Sequence, residues 1–371
     1  MASTQCVVRP YAPSDRDAFL SLYESVWGHA KRPDWFDWRF RANPYRDGVQ
    51  MVVAADDDEL VGAEPMLPFR LHIGSTTVDA YQPVDWIVHP DYRRRGIFSR
   101  MTERLLAYCA DDATLLFNFP NDALLPGLSK FGWRVVGELP TSYRVQNPRT
   151  LFLETVEPDP TSAVTPLLTA ATTLTKRGLE LLDRLNDRPH DIAVERKAGV
   201  AVDGIHGLYN SNPPTRIHVP RDEPFLRWRF ANPNWKTRSY IATRRGTAVA
   251  TVVTATERTP DCTVTMLLDY QPMDTPPSEA TDALFARIIR DNRDADVLKM
   301  LGDFAPRLRR RHGFYNDTTV SRSRLPTVST AAVRPLAPAD GLDSAEPWSI
   351  DGLRLTDPEN WLFTLADLDI E

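Results

Sequence analysis

Residues 84–98 read Val84-Asp85-Trp86-Ile87-Val88-His89-Pro90-Asp91-Tyr92-Arg93-Arg94-Arg95-Gly96-Ile97-Phe98, and their reading decides the fold. A short apolar run with Trp, Ile and Val suits a buried strand, and His89-Pro90-Asp91 ends it. Three arginines and a glycine follow, after which Phe98, Met101, Leu105 and Tyr108 recur at helical spacing. The segment is therefore strand, basic glycine turn, helix. The first amides of such a helix lack intrahelical partners and its dipole favours an anion, so the adjacent arginines suit a diphosphate. Gly96 lets a ligand approach the backbone where a Cβ would intrude.

The run from Val88 to Phe98 resembles the acyl-CoA signature of the GNAT superfamily of N-acetyltransferases, an Arg/Gln-x-x-Gly-x-Gly/Ala loop after a strand. The match falls on Arg93, Gly96 and Phe98, with Phe98 replacing the usual small residue. The resemblance implies acetyl-CoA as co-substrate, held by Arg93, Arg94, Arg95, Gly96, Ile97, Phe98 and Ser99. It also implies a backbone amide near Ile87 and Val88 that stabilises the oxyanion. The run Asn121 to Trp133, ending in Lys130-Phe131-Gly132-Trp133, is similar to the family's last block, where Asn121 would help hold the pantetheine arm. Many members carry a proton-donating tyrosine four residues before that glycine. Here the position is Leu128, so Tyr143 or a water would have to substitute.

A chain of 371 residues is long enough for two domains, and 42% hydrophobic with 25% charged residues is a globular composition. A net charge of −6 argues against a general nucleic-acid surface. Cys6, Cys109 and Cys262 have no paired spacing, which excludes a disulfide framework and a thiolate zinc site, and the seven histidines show no metal spacing. The longest weakly polar stretch, Thr161 to Thr175, is too short to span a membrane and contains Pro166. The expectation is a cytoplasmic protein with no metal and no membrane partner.

Along the chain, strands are expected at 6–11, 49–55, 60–67, 69–73, 77–81, 114–119, 134–136 and 143–145, an order that matches the GNAT fold over residues 5–147. Residues 148–160 turn Pro-rich, as a linker does. Leu167, Leu168, Ala171, Leu174, Leu179, Leu182 and Leu185 then give an amphipathic connecting helix. The next region repeats the first. Phe225-Leu226-Arg227-Trp228-Arg229-Phe230-Ala231-Asn232-Pro233 echoes Phe36-Asp37-Trp38-Arg39-Phe40-Arg41-Ala42-Asn43-Pro44, and Arg311-His312-Gly313-Phe314 answers Lys130-Phe131-Gly132-Trp133. Gln271 to Glu279, however, has neither arginine nor glycine, and Asp274 and Glu279 would repel phosphate.

The expected architecture is an α/β chain (α+β, mixed sheets) of two tandem GNAT-like domains. Residues 1–150 form the acyl-CoA domain, 151–189 the linker and connecting helix, 190–330 a degenerate copy, and 331–371 a partly ordered tail. The catalytic candidates are Asp85 and Glu64, carboxylates on strands beside the cleft. Asp85 either accepts a proton through water or satisfies loop amides, and Glu64 is either a base or a rim carboxylate. The twin Trp-Arg-Phe motifs read as core anchors whose arginines snorkel or stack. The function implied is acetyl-CoA-dependent transfer to a primary amine of a small molecule, such as an amino sugar, by direct attack on the thioester. A Fem-type aminoacyl transferase and a non-catalytic acyl-CoA-binding protein are the alternatives. Oligomeric state is left open.

Overall fold

The computed structural model describes residues 6–57, 59–147, 164–186, 191–260, 262–302, 304–316, 329–337 and 339–370. The expected linker at 148–160 lies outside them. The first half contributes β1 (Val7–Pro10), helix α1 (Arg16–Trp27), a short helix α2 (Pro33–Phe36), β2 (Met51–Asp56) and β3 (Glu59–Ile73). It continues with β4 (Thr76–Pro83), β5 (Ile87–Val88), helix α3 (Ile97–Cys109), β6 (Leu115–Asn118), α4 (Leu125–Ser129), β7 (Arg134–Leu139) and β8 (Thr141–Val145). After the connecting helix α5 (Val164–Asn186) come β9 (Ile192–Ala198), α6 (Val202–Ser211), α7 (Glu223–Arg229), β10 (Lys236–Arg244), β11 (Thr247–Arg258) and β12 (Thr263–Gln271). The chain then forms α8 (Ser278–Asp291), β13 (Val297–Leu301), α9 (Pro306–Arg311), β14 (Tyr315–Asn316) and β15 (Ser329–Pro335). Among the described residues no helix is long and apolar enough to cross a membrane.

Two mixed sheets result. The first runs β1-β2-β3-β4-β6-β15-β7, with β5 on β3, and the second runs β14-β8-β13-β12-β11-β10-β9. Two strands therefore differ from the sequence order. Thr141–Val145, expected to complete the first sheet, pairs antiparallel with β13, Thr141 opposite Leu301 and Val145 opposite Val297. Its place is taken by Ser329–Pro335, which pairs with β6 and β7. Pro140 is the only residue between β7 and β8, too few for a hairpin loop, so the chain crosses to the other sheet there. The region from residue 331, read as a partly ordered tail, begins within the strand Ser329–Pro335 and continues into a packed segment in which Trp361, Phe363 and Leu365 are buried.

Helix α3 covers one face of the first sheet through Ile97, Met101 and Leu105 against Val52, Val61 and Met66. Helix α8 covers the second through Leu284, Phe285 and Ile288 against Tyr240 and Val252. The inner faces share one core that joins Phe69 and Phe117 to Phe225, Trp228, Met266 and Trp361. The twin motifs meet in this layer. Trp38 donates its indole N–H to the Trp228 carbonyl at 2.8 Å, and Trp228 donates to the Trp38 carbonyl at 2.8 Å. Such mutual exchange is what two-fold related surfaces make, here within one chain. The arginines do more than snorkel: Arg229 donates to the carbonyls of Ala366, Leu368 and Ile370.

Candidate active site

The cleft originates in a register change on β3. From Met66 opposite Pro83, β3 steps back three residues to Ala63, while the partner chain advances four residues to Ile87. The extra residue lies within Val84-Asp85-Trp86, where Asp85 adopts φ 48°, and such a bulge bends and twists its strand. Upstream of it, β4 also pairs in parallel with β6, but only at Ala80–Leu115 and Tyr81–Leu116. Downstream, β5 stays with β3 and leaves β6, which opens a gap between Ile87-Val88 and Asn118-Phe119.

The pairing fixes which groups face that gap. His89 donates its N–H to the Val61 carbonyl at 2.9 Å. Antiparallel pairing alternates, so Ile87 bonds on the same edge, and the N–H and C=O of Val88 turn toward the gap. The Val88 carbonyl accepts from Arg93 Nε at 3.1 Å. Ile87 itself has a buried side chain in the inner core.

The basic turn lies at the same end. Gly96 (φ 72°) immediately precedes α3, makes no side-chain cap, and no acidic residue stands in the first turn. The first intrahelical bond there runs from Arg100 N to Gly96 O at 3.2 Å, so the amides of Ile97, Phe98 and Ser99 precede the ladder. Arg93, Arg94, Arg95, Gly96 and Ser99 are exposed. Arg95 is braced by the Asp91 carbonyl at 2.8 Å and by the Tyr92 ring, and Arg94 takes φ 63°. A Cβ on Gly96 would meet no protein atom within 4 Å, so the space beside it is open to a ligand. These groups fit a diphosphate.

The remaining expected residues divide. Ile97 is 2% exposed and packs in the α3 core, leaving only its amide for a ligand. Phe98 lies between Trp86 and Phe131 and against Gly127, so it fixes α4 onto α3. Asn121 accepts from Leu124 N–H at 3.0 Å and so shapes the turn before α4. Glu64 is fully buried beneath α3, accepts from Thr102 Oγ1 at 3.0 Å, and burial holds its pKa well above the usual carboxylate value. Burial there disfavours its charged form.

Asp85 is partly exposed and bonds Arg39 Nε at 2.8 Å. Arg39 is 1% exposed and also pairs with Asp369 near the chain's end. Sequence reasoning missed this network. Arg39 and Asp369 lie 46 and 284 residues from Asp85, so no local spacing signals the contact. Burial and the neighbouring Arg39 pull the twin guanidinium of Arg229 down to about 9. Phe119, at the mouth of the gap, stands edge-on to Phe363, which stacks on Trp361, so the C-terminal segment forms one wall. Tyr143 lies in the second sheet, opposite Lys299 and Tyr315, and Leu128 is buried.

Comparison with known proteins follows the same lines. Residues 7–136 match the model of the GNAT acetyltransferase domain. The fold is similar to that of a GCN5-related N-acetyltransferase from Anabaena variabilis, at 12% identity and TM-score 0.61, over 90% of this chain and 73% of that one. It is also similar to a probable N-acyltransferase from Enterococcus faecalis, at 13% identity and TM-score 0.60, over 90% and 73%. Eis1 from Mycobacterium abscessus superposes at 13% identity and TM-score 0.51, over 90% and 74%. No curated protein matches the chain. At these identities the solved structures speak for the fold, and the domain match within residues 7–136 speaks for the family. Residues 7–136 thus match a GNAT acetyltransferase domain, and over 90% of its length the chain is similar in fold to a solved GCN5-related N-acetyltransferase.

Proposed function

We propose that the protein is an acetyl-CoA-dependent N-acetyltransferase acting on a primary amine of a small molecule. The first sheet would carry the reaction, and the second half would be a copy that has lost the cofactor loop. The observation that carries this reading is the conjunction of a bulge-opened strand gap with an uncapped, arginine-flanked helix start. In the second half, Asp274 instead pairs with Arg216, and Tyr270 is stacked face to face on Phe304.

Acetyl-CoA, when bound, supplies an activated thioester. The first-turn amides of α3 and the arginines at 93–95 would hold its diphosphate, with Asn121 beside the pantetheine arm. The Val88 N–H would donate to the thioester oxygen, where negative charge develops. Asp85, kept near the gap by Arg39, would attract the acceptor's ammonium and receive its proton through water. Glu64 would serve by anchoring Thr102 of α3. A departing thiolate needs little help, because a thiol titrates near about 8.5.

The test is thiol release from acetyl-CoA by the full chain across amino sugars, polyamines, amino acids and peptides. Amine-dependent release with an N-acetylated product by mass spectrometry is the expected result. Binding of CoA without release on any amine, or activity that requires aminoacyl-tRNA, would overturn it.

A further inference from the structure

The second half holds a cavity of about 390 Å³ walled by α5, α8 and β8, and none of its lining residues belongs to the first-sheet cleft. Its chemistry is lopsided. Five cationic side chains face it (Arg144, Lys176, Arg184, Arg290 and Arg293) against two carboxylates, Glu180 and Asp183. Asp183 is already engaged, taking both of its oxygens to Arg144 Nη2 at 2.9 Å. Arg144 is itself 1% exposed and its charge is balanced by Asp183, so the remaining excess of positive charge comes from Lys176, Arg184, Arg290 and Arg293 against Glu180. Leu179, Ala286 and Ile289 add an apolar strip to the wall.

In a chain of net charge −6, a pocket with this excess of positive charge focuses anions locally. The volume falls in the range of small-molecule sites. The position also separates it from the family's cofactor mode: Ile289, Arg290 and Arg293 lie at the C-terminal end of α8 and just beyond. The diphosphate cradle of the first half lies at the opposite, N-terminal end of its helix.

We propose that this cavity binds a phosphate-bearing small molecule of about nucleotide size. Its phosphates would meet Lys176, Arg184 and Arg293, and its apolar part would lie on Leu179 and Ile289. The site is independent of acyl-CoA binding by the first half.

The test is calorimetric titration of the full chain with inorganic pyrophosphate and, separately, with ADP. Because ADP resembles part of CoA, Gly96→Glu serves as the arm that silences the first-half cleft. Gly96→Glu should still bind both probes, at the one site left to it. Adding Lys176→Glu/Arg293→Glu in the Gly96→Glu background should cost at least tenfold for both probes, whereas the double variant alone should keep CoA affinity within threefold. Both substituted residues are exposed, and if charge reversal lowers the melting temperature, Lys176→Gln/Arg293→Gln carries the same comparison with a loss of at least threefold. Absence of pyrophosphate and ADP binding to the wild type overturns the proposal. So does binding abolished by Gly96→Glu, or binding indifferent to the double variants.

Discussion

Gly96→Glu separates the cost of a backbone conformation from the cost of a charge. Gly96 sits at φ 72°, and a side chain there costs about 1–2 kcal/mol. A Cβ would meet no protein atom within 4 Å, so no clash adds to that figure. The apo protein should therefore fold, with stability reduced by about 1–2 kcal/mol. The bound state is penalised further. For a carboxylate about 5 Å from two diphosphate charges, Coulomb's law gives about 1.7 kcal/mol in water and about 6.6 kcal/mol at an effective dielectric of 20. Even the lower figure is about 15-fold in affinity. Calorimetric titration with CoA should show at least that loss for Gly96→Glu, and a smaller one for Gly96→Ala, which carries the strain without the charge. Raising the salt should narrow the gap between the two variants. Unchanged CoA affinity in Gly96→Glu, or equal losses in both variants, would refute the placement of the diphosphate.

Other outcomes follow from the same geometry. Asp85→Asn should lower kcat by about 10²-fold. Glu64→Gln should leave turnover within threefold and raise the melting temperature, because burial disfavours the charged carboxylate; a loss like that of Asp85→Asn would identify Glu64 as the base. Trp38→Phe and Trp228→Phe each leave a buried carbonyl without its donor, which should cost about 1–3 kcal/mol in urea unfolding. The double variant should cost less than the sum, since the two bonds share one contact. Burial depresses the His218 pKa from 6.5 to about 4, so between those values the unfolded chain binds a proton that the fold excludes. Its contribution is present above pH 6.5 and lost as pH falls toward 4, at up to about 1.4 kcal/mol per pH unit. His218→Gln should flatten that slope, and an unchanged acid limb would refute the assignment.

The strand, turn and helix proposed to hold the cofactor were legible because their information is local. Arginines at 93–95, a glycine at 96 and helical spacing from Phe98 to Tyr108 are neighbours in sequence, and neighbours suffice to build strand, turn and helix. The paired Trp-Arg-Phe motifs were legible for the same reason, and even their equivalence has a counterpart in the reciprocal Trp38–Trp228 bonds. Glu64 was ambiguous because alternation names two faces of a strand without saying which lies under a helix; here α3 covers Glu64 through Thr102.

By itself, then, the sequence determined the periodic elements, the arginine-glycine turn before α3 and the duplication, each carried by residues within a few turns of one another. Only the tertiary structure decided that Thr141–Val145 and Ser329–Pro335 change places between sheets, that Val84-Asp85-Trp86 holds the extra residue that opens the gap, and that Arg39 joins Asp85 to Asp369. The physical reason is that a strand's hydrogen bonds and a buried charge's partner come from elsewhere in the chain. Which distant segment supplies them depends on the competition among all surfaces that must be buried together.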